Sequence, residues 1–201
     1  MTQTIGIFLF DDVELLDFAG PYEVFTCATR VHARDSSAAM PAFKVVAIAQ
    51  SLSPRRARAG AQLLPDGDFS ATTPLDVLIV PGGVVTAEMR KPAVIDWIAE
   101  TAAHCTLTAS VCTGAFLLAQ AGLLNGKDAT THWEDMEDLR QQFPQLRVQP
   151  QRRWVQDGNI VTSAGISAGI DMSLHLVETL LSRELALATA RQMDYEWSQN
   201  A

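Results

Sequence analysis

Cys112 stands in the segment Ser110-Val111-Cys112-Thr113-Gly114, with a small residue two positions before the thiol and a glycine two positions after it. That spacing suits a nucleophile elbow: a strand, a sharp turn carrying the reacting side chain in a strained backbone conformation, and a helix, closed by small neighbours. A thiol held there lies over the N-terminus of the next helix, whose positive dipole end and free amides favour thiolate over thiol. The same amides can stabilise negative charge that develops on a substrate. The spacing therefore predicts a reactive cysteine with a lowered pKa. Gly82-Gly83 offers a second set of backbone amides, since nothing on a glycine blocks close approach of a ligand. Cys27 and Cys105 fall on a predicted core helix and inside a predicted strand, where a free cysteine serves as a small buried hydrophobe. Burial is the ordinary fate of a free thiol, and only the turn context sets Cys112 apart.

Positioning such a thiol requires strands that end in turns. Apolar runs over residues 4–10, 43–49, 75–80 and 105–111 read as strands covered on both faces. Helical spacing follows over 15–28, with Pro21 in its early part, and again over 92–104, 113–124, 134–142, 166–181 and 184–197. Residues 51–60 read as a loop. Leu63-Leu64 with the turn Pro65-Asp66-Gly67 suggests a short hairpin, and 154–156 with 160–162 flank Asp157-Gly158-Asn159 as a second one. Strands alternating with helices imply one α/β domain over residues 1–201, with a mostly parallel twisted sheet and helices on both faces. Ligands bind outside the carboxyl ends of strands in such sheets, which is where the Gly82-Gly83 and Cys112 turns fall.

The composition bounds the class without naming a function. The 201 residues are 48% hydrophobic and 19% charged, so the chain can bury a core unaided. A net charge of −8 argues against a nucleic-acid partner, because phosphate binding needs a basic face. No run approaches the ~20 apolar residues that cross a bilayer. The N-terminus lacks a basic region ahead of its short apolar stretch, and three unpaired cysteines suit a reducing compartment, so a cytoplasmic protein is expected. Metal binding is not expected: HExxH is absent and His132-Trp133-Glu134-Asp135 has no trustworthy ligand spacing. The glycine-containing stretch Gly165-Ile166-Ser167-Ala168-Gly169 precedes a helix but lacks both phosphate-binding patterns.

Five segments, IGIFLFDDVELLDFAGP (5–21), DVLIVPGG (76–83), SVCTG (110–114), GLLNGKDATTHW (122–133) and VTSAGISAGID (161–171), together make the chain resemble the ThiJ/PfpI superfamily, related in fold to class I glutamine amidotransferases. The resemblance implies a flavodoxin-like three-layer sandwich. Within the superfamily the likeness is greatest to isonitrile hydratases and to the amidase-like sensor domains of AraC-type regulators. Protease-like members carry histidine after the cysteine; Thr113 stands there, as in the isonitrile hydratases. By the same resemblance Asp17 lies beside the thiol as a proton donor, although an acid near a helix start can also be a simple cap. His132 either polarises Cys112 or caps the helix after it, and the resemblance implies that Ile166 and Ser167 face the pocket.

What the resemblance implies chemically is hydration of an isonitrile to an N-substituted formamide. Cys112 attacks the isonitrile carbon, Asp17 supplies the proton, Thr113 orients Asp17, and a thioimidate is then hydrolysed, with no cofactor. A homodimer is expected from the superfamily. The alternatives are a ligand sensor, weighed against by a sequence ending at residue 201 without a DNA-binding module, a redox-responsive thiol protein, and a hydrolase, which Thr113 disfavours.

Overall fold

A computed structural model describes residues 1–35, 40–71 and 73–199. β1 (Gln3–Phe8) places Ile5, Ile7 and Phe8 in full burial, so consecutive side chains are covered on both faces of the sheet. α1 (Leu15–Asp35) runs past the expected end at 28, because Val24, Ala28 and Val31 continue one buried stripe at helical spacing. Pro21 lies at its seventh position rather than in the first turn, where its missing N–H leaves the Asp17 carbonyl without the usual helical donor.

β2 (Phe43–Ala49) forms as expected. The following segment corrects the sequence reading. β3 (Arg55–Arg56), inside the supposed loop, makes an antiparallel ladder with β4 (Gln62–Leu63) just beyond it, whereas β5 (Gly67–Asp68) pairs in parallel with β2. Asp66 is the reason: its carboxylate accepts the Ala47 N–H and its own N–H donates to the Ala47 carbonyl, both at 2.8 Å, which ties the turn to β2.

The chain continues through β6 (Val77–Val80), the short α2 (Thr86–Met89), α3 (Pro92–Ala102), β7 (Leu107–Val111) and α4 (Gly114–Gln120). β8 (Asp128–Ala129), a 3-10 turn over Trp133–Asp135, α5 (Met136–Gln142) and β9 (Arg147–Val148) follow. The antiparallel hairpin β10 (Trp154–Asp157) and β11 (Ile160–Ser163), then α6 (Ala168–Leu180) and α7 (Arg183–Gln192), close the fold.

The main sheet has the order β10-β11-β7-β6-β1-β2-β5, and every neighbouring pair is parallel except β10 with β11. Counting only the long parallel strands in chain order gives 2-1-3-4-5, the flavodoxin-like arrangement. α1, α6 and α7 pack on one another in one layer, and α2, α3 and α4 in the other. The chain turns opposite ways from β1, to β2 on one side and β6 on the other, so the crevice opens at the carboxyl ends of β1 and β6. Among the described residues, no helix is long and apolar enough to cross a membrane.

Candidate active site

Cys112 occupies the turn between β7 and α4 with φ +55, a left-handed conformation that costs a non-glycine residue about 1–3 kcal/mol. Neighbours on three segments hold it there. Its N–H donates to the carbonyls of Ser163 (3.1 Å) and Ala164 (3.3 Å), and its carbonyl accepts the Thr131 hydroxyl at 2.8 Å. Gly114 lets the turn press against β6: a Cβ there would stand 2.1 Å from the Val80 carbonyl oxygen. The elbow expected from the sequence is therefore present.

Asp17, in the first turn of α1, is fully buried behind the thiol. Its Oδ2 accepts the Gly82 N–H at 3.1 Å, while Oδ1 is buried with no hydrogen-bond partner. Burial above all raises its pKa to about 7, aided by Glu14. The Gly82 amide, the Cys112 thiol and the Ile166 amide pull the other way. A carboxyl near half-protonation at neutral pH is suited to passing a proton in either direction.

The thiol itself departs from the sequence expectation. Its pKa is pushed up to about 12, first by burial and then by the Asp17 charge, against weaker pulls from the Thr113 amide and hydroxyl. A helix N-terminus is worth about 2 kcal/mol at most, roughly 1.5 pKa units, whereas full burial moves such groups by up to about 3–5 units. With Cys112 only 7% exposed, desolvation wins and the resting group is a neutral thiol.

Thr113 also takes a different part. Its hydroxyl donates to the Gly83 carbonyl and accepts the Gly83 N–H, both at 2.9 Å, and so ties the elbow to the β6 turn instead of orienting Asp17. Gly82 does the orienting. A Cβ on Gly82 would sit 2.6 Å from Thr113 Oγ1, 2.7 Å from the Thr113 backbone nitrogen and 2.9 Å from Asp17 Oδ2, so three groups converge on a position that only glycine can fill. Both glycine amides are thereby occupied, and neither is free to receive an oxyanion. Gly83, at φ +134, is pinned by a bridge to Val13.

His132 is half-buried and lines the same cavity, but its Nδ1 faces Asp135 (3.4 Å), Glu134 (3.7 Å) and the Glu134 N–H (3.4 Å). It caps the 3-10 turn, one of the two readings of its position. Its ring turns the Cδ2 edge onto Gly165, where a Cβ would come within 2.0 Å of that atom. Ile166 forms a cavity wall with φ +50. Ser167 does not: its hydroxyl meets the Arg153 guanidinium at 3.3 Å, away from the cavity.

The cavity over the thiol measures about 640 Å³. Val85, Met89, Phe116 and Ile166 make its apolar walls, and Glu14, Arg58, Arg90 and Asp138 bring charge to it. Sequence reasoning missed the α2 wall, because four helical residues show no periodicity. It also missed Glu14, although a second acid one turn before Asp17 was a usable signal. Among the described residues, no cluster of His, Cys, Asp or Glu could hold a metal ion.

A buried cysteine elbow at the switch point of a flavodoxin-like sheet, joined to a carboxyl from the first helix, defines a class of α/β thiol proteins. The chain belongs to the DJ-1/PfpI family, whose model matches residues 3–179. It is 38% identical over 197 residues to an isonitrile hydratase of Pseudomonas putida, across 97% of this chain and 79% of that protein. The transcriptional regulator GbdR of Pseudomonas aeruginosa is 30% identical over 98% of this chain, which spans 52% of the regulator's length. A THiJ/PfpI family protein from Pseudomonas syringae superposes with a TM-score of 0.85 at 27% identity, covering 99% of this chain and 77% of that one. Drosophila melanogaster DJ-1beta shares the fold at TM-score 0.82 and 21% identity, covering 98% of this chain and all of that one.

Proposed function

We propose that the protein hydrates an isonitrile to an N-substituted formamide, with Cys112 as nucleophile and Asp17 as proton carrier. The observation that carries this reading is Asp17: fully buried beside the thiol, fixed through Oδ2 by Gly82, and with Oδ1 free of any other partner. The terminal carbon of an isonitrile takes a nucleophile and a proton at the same atom. Asp17 as carboxylate accepts the thiol proton while sulfur bonds to that carbon, and then returns the proton to it, leaving a thioimidate on Cys112. Water adds to the thioimidate carbon; the C–S bond breaks, sulfur recovers a proton, nitrogen keeps the other, and formamide leaves. Addition of one water balances the cycle, so no cofactor is needed. A high thiol pKa is compatible with this chemistry, because the proton leaves only as the bond forms. The likeness to an isonitrile hydratase over nearly the whole chain supports the same reading.

The test is turnover of cyclohexyl isocyanide by purified protein, followed through loss of the isonitrile infrared band and appearance of the formamide proton by NMR. Turnover that vanishes in Cys112→Ala is expected, and a parent protein that makes no formamide from a panel of alkyl and aryl isonitriles refutes the proposal. The likeness to a regulator over 98% of the chain favours a second reading, a ligand sensor. Calorimetric binding of a small ligand, equal in the parent and Cys112→Ala and without any product, would establish it. The redox reading is weakened by burial and by the raised pKa, since oxidation follows thiolate character and exposure.

A further inference from the structure

Outside the cavity lies another buried acid. Asp171, on α6, is fully buried and takes Nε (2.8 Å) and Nη2 of Arg153 together on its Oδ2. Its Oδ1 accepts the Ser198 N–H at 2.9 Å, and its carbonyl accepts the Trp197 indole N–H at 3.1 Å. The same Arg153 guanidinium reaches the Ser167 hydroxyl at 3.3 Å, and the Arg153 carbonyl accepts the Ala164 N–H at 2.9 Å. Arg153 therefore grips the turn 164–167 at both ends. Between those grips stands Ile166, a β-branched residue at φ +50, a conformation such residues avoid unless their surroundings impose it.

The pair is a poor source of stability: burying the Asp171 carboxylate costs desolvation that offsets much of the attraction, and Arg153, 37% exposed, stays screened by solvent. Its position is the better explanation. We propose that Arg153 and Asp171 are positioning residues for the reaction: their ion pair anchors the N-terminus of α6 and holds the strained Ile166 turn against the Cys112–Asp17 pair. The proposal rests on the reading of Asp17 as proton carrier. Ile166 walls the cavity, and its amide lies near enough to the Asp17 carboxyl to favour the charged form without completing a hydrogen bond to Oδ1. Sliding that turn outward would loosen the wall and withdraw the amide. The C-terminal segment 195–198 backs the pair, with the Arg183 guanidinium over the Trp197 ring at 5.7 Å.

The experiment follows the Asp17 carboxyl by carbon-13 NMR through a pH titration, alongside isonitrile kinetics. Asp17 is faced by Glu14 from just before its helix and by Cys112 from the elbow; Arg58 pairs with Glu14 at 3.8 Å, and Asp135 and His132 lie across the cavity. All of these stay unchanged in the variants. Arg153→Gln leaves a buried carboxylate unpaired and can fail to fold, so the double variant Arg153→Gln/Asp171→Asn, which leaves no unpaired charge, is measured as well. In both, the Asp17 midpoint should move upward by about half a unit and kcat should fall about tenfold. Arg153→Lys should restore part of each. A lowered melting temperature with the Asp17 midpoint and kcat of the parent would overturn the proposal. A parent without turnover refutes the hydratase reading instead, and the midpoint shift still decides the positioning role.

Discussion

Replacing Asp17 by asparagine should make the protein more stable and less active together. Folding carries the carboxyl from an ordinary 3.8 to about 7, so the native state holds the protonated acid more tightly than the unfolded chain does. The stability this group contributes is complete below its unfolded pKa of 3.8 and is lost as the pH rises to about 7. At 1.36 kcal/mol per unit, the loss above neutrality is about 4 kcal/mol, a large share of a net stability of ~5–15 kcal/mol. Asparagine is neutral throughout, and its side-chain oxygen can still accept the Gly82 N–H. Urea unfolding of parent and Asp17→Asn should therefore show a gap in favour of the variant that opens between about pH 4 and pH 7 and levels off above. Other titrating groups cancel in the difference, and staying below about pH 8 keeps the thiols neutral. Over the same range, isonitrile turnover should drop by about 10²-fold or more in the variant. A stability gap that does not change with pH would show that the carboxyl titrates normally in the fold, and the reasoning would fail.

Cys112→Ala should abolish turnover; in the parent, iodoacetamide mapping by mass spectrometry should find Cys112 labelled slowly at pH 8, because a thiol pushed up to about 12 is ionised to only ~10⁻⁴ there, with the rate still climbing above pH 9. Gly114→Ala should lower stability by about 1–3 kcal/mol or more in thermal melts, as its Cβ would meet the Val80 carbonyl at 2.1 Å. Thr113→Val removes both hydrogen bonds to Gly83 and should cost about 1–3 kcal/mol with a several-fold loss of kcat, yet leave the Asp17 titration midpoint in place, because the hydroxyl bonds to Gly83 and not to the carboxyl. Light scattering should return twice the mass of one chain if the homodimer expected from the family forms.

Much of the fold was legible because its strands are near-continuous apolar runs and its helices carry buried stripes; residues 43–49 and the hairpin around Gly158 fell where the pattern put them. The misplaced hairpin near Pro65 depended on a long-range contact, the Asp66 carboxylate on Ala47, which no local pattern carries. At the site, Cys112 and Gly114 could be read from spacing, and Asp17 only through family resemblance. The thiol pKa was read in the wrong direction, because sequence shows the helix start but not the depth of burial that outweighs it. The partner of Thr113 was equally invisible, since Gly83 reaches it only after β6 and β7 have paired.

That dependence on pairing has a kinetic consequence. Asp17, Gly82 and Cys112 arrive from three separate crossovers, and the Gly82-to-Asp17 hydrogen bond alone spans 65 positions of chain. Parallel pairing over such separations is slow, because loop closure must precede the contacts that reward it. The thiol therefore passes from solvent to shelter only when the central sheet closes. During refolding, a thiol-reactive dye supplied in pulses would label Cys112 rapidly in early chains and hardly at all in late ones, making the cysteine a built-in clock for closure of the central sheet.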